Sequence, residues 1–438
     1  MDMPRRLLLV LILGLLPLGV AHAVLEIQIT QGVSTAVPVA IVPFAWQVQG
    51  PPPATDVAAV ISADLTRSGR FKAIPDSAML EKPALAADIH FTNWRILGVN
   101  DLVIGRIKPA GAGNYQVEFQ LFNVYTGQQL LGLAVLTTPG ALRWTAHKIS
   151  DLIYQKLTGQ RGAFATRIAY VEVSGKGGLD HHYDLVVADS DGYNPQTVFS
   201  SNEPIMSPAW SPDGKDLAYV SFETGLPAIY MQDIYTGKRE LLSDRSGLNS
   251  APAFSPDGRR LALVLSSTPG NPDIYIMDLA SRTLRRITTS AAIDTEPAWS
   301  PDGQSLYFTS DRGGSPQIYK VSLSGGTPQR ITFDGNYNAR ASVSPDGQTL
   351  VMVHRENGRL HIAVMNLNSG ALLTLTDGDL DKSPSFAPNG SMIIYEASYG
   401  GRGVLAEVSV DGQVRERLSE SQSGVSVHAP VWGPFLSQ

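Results

Sequence analysis

The sequence has no cysteine. No disulfide can brace the fold and no thiolate can act as nucleophile or metal ligand, so the chain must be held by its core alone. Charge is sparse: 17% of residues are charged, 34 basic against 40 acidic, for a formal net charge of −6. So mild an acidity gives no electrostatic reason to expect nucleic acid or anionic membrane as a partner. A bilayer-spanning apolar run is also missing. The longest run, residues 7–20, is interrupted by Gly14 and Pro17 and falls short of the ~20 residues a span needs. Arg5 and Arg6 precede it and Ala21-His22-Ala23 follows it, the pattern of a cleaved export signal. Cleavage after Ala23 starts the mature chain at Val24 and removes Asp2, Arg5 and Arg6, leaving 32 basic and 39 acidic residues, a charge of −7. An exported chain without cysteine suits a Gram-negative periplasm at least as well as an extracellular medium.

Catalytic equipment is equally scarce. A serine hydrolase of the nucleophile-elbow type needs Gly-x-Ser-x-Gly, and the nearest stretch, Gly424-Val425-Ser426-Val427-His428, lacks the final glycine. His181-His182 beside Asp180 and Asp184 is the one local histidine cluster. Neighbours on a strand point to opposite faces, so the pair chelates poorly and reads as loop residues after Gly177-Gly178. Asp189-Ser190-Asp191-Gly192 and Asp377-Gly378-Asp379 lack the spaced ligands and closing glutamate of a calcium loop and read as turns. The sequence implies no cofactor and does not decide whether a channel cation is held.

Turn formers are plentiful: 41 glycines and 29 prolines, which favour short strands over long helices. They fall into a repeat. Ser211-Pro212-Asp213-Gly214 returns at Ser255, Ser300 and Ser344, and a weaker copy, Ala387-Pro388-Asn389-Gly390, follows; the starts lie 44, 45, 44 and 43 residues apart. Proline presets the second position of a type I turn and glycine follows where φ can be positive. Strand-like runs flank each turn, such as Pro208-Ala209-Trp210 before and Leu217-Ala218-Tyr219-Val220 after. Two more runs complete four antiparallel strands per repeat, which is one propeller blade. Arg167-Ile168-Ala169-Tyr170-Val171 matches a second strand with no first strand before it, while Ala429-Pro430-Val431-Trp432 matches a first strand at the far end. Together they make a sixth blade that closes the ring over residues 163–438 and leaves no open edge at the seam.

Residues 24–160 lack the repeat. Strand-like runs at 24–30 and 37–44, a helix over 55–68 stopped by Gly69, three meander strands over 101–137 and an amphipathic helix over 142–157 predict a small α/β domain, with a linker at 158–162. The expected fold is therefore mainly β: a six-bladed propeller after an export signal (1–23) and a small α/β domain.

In a propeller the strand nearest the axis lines the channel, and the residues leading into it form one rim. Six triplets occupy that place: Ile205-Met206-Ser207, Asn249-Ser250-Ala251, Asp294-Thr295-Glu296, Asn338-Ala339-Arg340, Asp381-Lys382-Ser383 and Val427-His428-Ala429. They are polar, mixed in charge and small, which suits a protein-binding mouth. The alternative function is a propeller-based hydrolase or lyase that uses the channel as its active site.

The domain order, the repeats, the closing Pro430-Val431-Trp432-Gly433-Pro434 and stretches such as Thr295-Glu296-Pro297 and Pro316-Gln317-Ile318-Tyr319-Lys320-Val321 resemble the TolB family, periplasmic propellers of the Tol–Pal system. The resemblance implies a non-enzymatic, monomeric scaffold that supports outer-membrane integrity and envelope constriction at division. It implies binding of the lipoprotein Pal at one mouth, carried here by Leu248, Asn249, Ala251, Asp294, Thr295 and Glu296; a histidine is common in the family where Leu248 stands. It implies binding of TolA through Val24-Leu25-Glu26-Ile27-Gln28-Ile29-Thr30, a segment able to add to a partner's sheet edge, and release of that segment linked to Pal binding. Outer-membrane proteins and imported bacteriocins are further implied partners.

Overall fold

A computed structural model describes residues 29–31, 36–177, 180–266, 270–418 and 424–436. The export signal and Val24 to Gln28 lie outside the described residues.

Six antiparallel sheets, five of four strands and one of five, surround one axis. The repeat's first, innermost strands are Ile205–Trp210, Asn249–Phe254, Asp294–Trp299, Asn338–Val343 and Lys382–Phe386. The seam is built as the sequence predicts: Val425–Trp432 pairs antiparallel with Arg167–Gly177, setting Trp432 opposite Ile168 and Val425 opposite Ser174. Gly433 completes it. Its N–H donates to the Arg167 carbonyl at 2.7 Å, and a Cβ there would sit 2.8 Å from the same oxygen.

The Ser-Pro-Asp-Gly turns are self-contained. Ser211 Oγ donates to Asp213 Oδ1 at 2.6 Å, Asp213 accepts the Lys215 N–H, and Ser211 Oγ accepts the Asp216 N–H at 2.9 Å. Gly214 takes φ 70°, a region that costs a side chain energy. Adjacent blades pack face to face. Ala262 and Ile274 of one blade meet Trp299 and Phe308 of the next, and Trp299 Nε1 donates across the gap to the Ala253 carbonyl at 2.9 Å. The repeat places its tryptophan to staple neighbouring inner strands.

The leading domain is a sheet in the order Phe71–Ala73, Val37–Ile41, Asp101–Pro109, Tyr115–Asn123, Gln129–Thr137, with Ala45–Trp46 beside Asp101–Pro109. Helices α1 (Val57–Arg67) and α3 (Leu142–Thr158), with the short α2 (Phe91–Ile96) between them in sequence, complete it. Val39, Ile61, Leu65, Phe119, Ile149 and Ile153 form the core under α1 and α3; Trp94 of α2, with Leu102 and Ile104, fills the opposite face. Helix α1 begins two residues later than its apolar spacing predicts. Asp56 caps it by accepting the Ala58 and Ala59 N–H groups, as N-cap carboxylates do.

Two expectations change. His181 and His182 lie on the strand Asp180–Asp189, not in a loop. The strand-like leader does add to a sheet edge, but to the chain's own: Ile29–Gln31 pairs antiparallel with Arg415–Arg417, Ile29 opposite Glu416, as a fifth strand on the last blade.

Candidate protein-binding mouth

Every inner strand breaks register once, between Met206 and Ala209, Ser250 and Ala253, Thr295 and Ala298, Ala339 and Ser342, Lys382 and Ser385, and His428 and Val431. The third residue of each triplet sits in that break with positive φ: Ser207, Ala251, Glu296, Arg340, Ser383 and Ala429 lie between 47° and 54°. Non-glycine residues adopt this conformation at a cost that the surrounding structure must absorb. The bulge turns these six residues to the axis, where they line the channel.

The triplets therefore divide by position. First residues face inward. Asn249 is fully buried; its Oδ1 accepts from Ser243 Oγ at 2.6 Å and its Nδ2 donates to the Arg245 carbonyl at 2.6 Å. Asp294 is fully buried, and its two carboxylate oxygens both accept from Arg312 Nη2, at 2.9 and 2.8 Å. These side chains anchor the strand starts and have no free polar atom to offer at a rim. Second residues vary: Thr295 is half-buried and Met206 exposed, while Ala339 is buried. Leu248 is half-buried and packs with Ala251 against the Trp299 cluster, and its N–H donates to Ser266 Oγ at 3.0 Å. In the channel, Glu296 meets Arg340 Nε at 3.0 Å and accepts from Thr309 Oγ1 at 2.9 Å, while Arg340 donates to Ser383 Oγ at 2.6 Å. In the same blade as Ser383, Glu396 accepts from His428 Nδ1 at 3.0 Å and from the Ala429 N–H at 3.2 Å. Burial alone would raise the Glu396 carboxyl. The His428 bond and charge outweigh it and hold the group below the ordinary range.

The sequence reading missed the apolar side chains around these strands. Loops leading into the inner strands share one end of the ring with the loops joining second to third strands, because the meander reverses at each strand. Backbone bonds such as Phe222 N–H to the Pro204 carbonyl at 3.0 Å tie the two sets together. On that end Phe333 is 71% exposed and Leu226 68%, with Ile293, Met206 and Leu380 also exposed. Isolated apolar loop residues in a polar sequence gave the only signal, and only the fold gathers them on one end.

The opposite end carries the leading domain. Asn389 Nδ2, in the weak repeat copy, donates to the Arg161 carbonyl at 3.0 Å, and Gln160 Nε2 donates to the Asn389 carbonyl at 2.6 Å. An aspartate, having no side-chain N–H, could not make the first bond. Deeper in, Arg67 reaches the Ser190 carbonyl at 3.2 Å and Glu407 at 3.3 Å. His147 Nδ1 lies 2.7 Å from Asp64, its Nε2 lies 3.7 Å from Asp191, and Arg143 pairs with Asp191. Asp64, His147 and Asp191 hold ligand-type atoms within 4.8 Å of one another. Arg67 and Arg143 pair with these carboxylates, so the cluster ties the leading domain to the propeller.

Comparison with known proteins places this geometry. Residues 25–130 match the TolB amino-terminal domain and residues 154–436 the TolB beta propeller domain. The chain belongs to the TolB family. It is 53% identical over 99% of both chains to "Tol-Pal system protein TolB" of Xanthomonas oryzae pv. oryzae (strain KACC10331 / KXO85), and equally to that of Xanthomonas campestris pv. campestris (strain B100). The crystal structure of TolB from Acinetobacter baumannii superposes with a TM-score of 0.86 at 42% identity, covering 94% of this chain and 100% of that one. Family membership makes this a non-enzymatic, periplasmic component of the Tol–Pal system rather than a propeller hydrolase or lyase. No helix among the described residues is long and apolar enough to cross a membrane.

Proposed function

We propose that the chain is a protein-binding scaffold that links Pal and TolA, and so supports outer-membrane integrity and constriction of the envelope at division. Pal docks on the mouth where the inner strands begin, and TolA takes the leader from Val24 to Thr30. The export signal is cleaved after Ala23, and the mature monomer meets the outer membrane through Pal. Outer-membrane proteins and imported bacteriocins remain further partners of the same reading.

The carrying observation is the asymmetry of the ring. One end is occupied by the leading domain, and the other presents Phe333, Leu226 and Ile293 to solvent. Apolar side chains ringed by polar loops are the pattern of a protein interface. Leu248, Ala251 and Thr295 stand at the inner margin of that end, where a partner would also reach the channel. Glu296 keeps its charge engaged with Arg340, so it shapes the mouth without placing an unpaired charge in it.

The test is capture of a Pal-like lipoprotein by the purified mature protein. Thr295→Arg is expected to abolish capture while the thermal melting curve stays that of the parent, because the substitution falls at a half-buried rim position. Undiminished capture by a folded Thr295→Arg protein would place the partner elsewhere.

A further inference from the structure

Gln129–Thr137 is an edge strand. Tyr115–Asn123 pairs with one side of it, and among the described residues no strand pairs with the other. It has nine residues and no charge or proline. Exposed edges are ordinarily blunted by charge, proline or shortness, and most of the other outer edges among the described residues follow that rule. Phe71–Ala73 is short and carries Lys72; Arg239–Ser243 carries Arg239 and Glu240; Leu284–Arg286 carries two arginines. The edge at Arg415–Arg417 is covered by Ile29–Gln31, and the uncharged Gln196–Ser201 has six residues. Gln129–Thr137 also exposes Leu133 (44%) and Leu136 (72%).

The face beside this edge is shaped. Gly132 and Ala134 form a low shelf along a depression of about 310 Å³ walled by Ala84, Gln120, Arg106 and Glu118. The wall at Ala84 is pinned nearby: Glu81 accepts from the His90 N–H at 2.9 Å and from Trp94 Nε1 at 2.8 Å. Arg106 Nε and Lys108 Nζ share one carboxylate, Glu118, at 2.6 and 2.8 Å. The group of three therefore carries one uncompensated positive charge.

We propose that the Gln129–Thr137 edge docks an extended strand of another protein that carries an acidic side chain on the side facing Gly132 and Ala134. Main-chain pairing supplies the attachment, and the shelf reads the side chains that alternate over it. The small shelf residues let the acidic group reach toward Arg106 and Lys108. A second copy of the chain would bring a like positive charge to the same place, whereas an acidic strand neutralises it.

The probe is the labelled peptide Thr-Val-Thr-Val-Glu-Val-Thr-Val-Thr, compared with its Glu-to-Lys version, on the full mature protein. Fluorescence anisotropy is expected to show saturable binding of the acidic peptide and binding weaker by about tenfold for the basic one. Amide hydrogen exchange is expected to slow over 129–137 alone. Ala134→Glu should reverse the preference, and Leu136→Glu, at the exposed neighbour, should reverse it too if the first variant melts early. Absence of binding by both peptides, an unchanged preference in the folded variants, or protection elsewhere would overturn the proposal. A dimer in sedimentation that the acidic peptide does not dissociate would assign the edge to a second copy and also overturn it.

Discussion

At the scale of single residues, the charged latch between the domains carries the sharpest consequences. Burial pushes the Glu407 carboxyl up to about 8 against the pull of Arg67, with Glu416 adding to the push. Burial likewise pushes Glu416 up to about 7. His147 is also raised. Burial works against its charge, but Asp64, by charge and hydrogen bond, and then Asp191 prevail. All three shifts have the same sign. The folded protein holds protons that the unfolded chain releases, so their contribution is largest at low pH and is lost as pH rises through the folded values. The melting temperature is expected to fall between about pH 5 and pH 8, and Glu416→Gln to flatten that fall by removing one of the two facing carboxyls. A slope unchanged in Glu416→Gln, measured by calorimetry, would contradict the assignment. Arg67→Ala leaves buried carboxylates without their cation and is expected to cost about 3–5 kcal/mol in urea unfolding; a loss below about 1 kcal/mol would show the latch to be solvated.

The same scale shows where sequence reading reached its limit. The triplets were legible because the repeat fixes their register, but the orientation of each member was not. A bulge inserts one residue and turns the pattern over, so Asn249 and Asp294 point inward while Ala251 and Glu296 face the axis. The proline that follows Ser207, Ala251, Glu296, Ser383 and Ala429 is the trace of this device in the sequence, since it interrupts the ladder. Arg340 adopts the same φ without it.

Among elements, the repeated strands and the two long helices could be read directly, because period, turn chemistry and apolar spacing agree. Short elements such as α2 and Phe71–Ala73 could not, having too few residues to show a period. Nor could the partner of Ile29–Gln31 be found, since it lies at the far end of the chain and no local pattern records it. That strand predicts a separation of function. Deleting residues 24–35 removes one added strand and leaves the mouth untouched, so capture of TolA should be lost while Pal is still captured. Equal loss of both would argue against separate surfaces.

Across the whole molecule, closure of the ring dominates. Trp432 donates Nε1 to Thr166 Oγ1 at 2.9 Å, and its backbone N–H donates to Ser385 Oγ at 3.0 Å, so the last strand ties the seam blade to the blade of Lys382–Phe386. Truncation to Trp432→Ala removes the large buried ring and is expected to cost about 3–5 kcal/mol, read as a shifted midpoint in denaturant unfolding. A midpoint unmoved by the change would mean that the seam contributes little. Closure also fixes which end of the ring is free, because the leading domain packs beside the seam on the turn end.

The central claim is that the free end is the protein-binding mouth. Hydrogen-exchange footprinting of the mature protein with a Pal-like lipoprotein tests it most directly. Protection is predicted over 248–251, 293–296 and around Phe333, with the Ser-Pro-Asp-Gly turns unchanged. Protection confined to those turns or to the leading domain would contradict it.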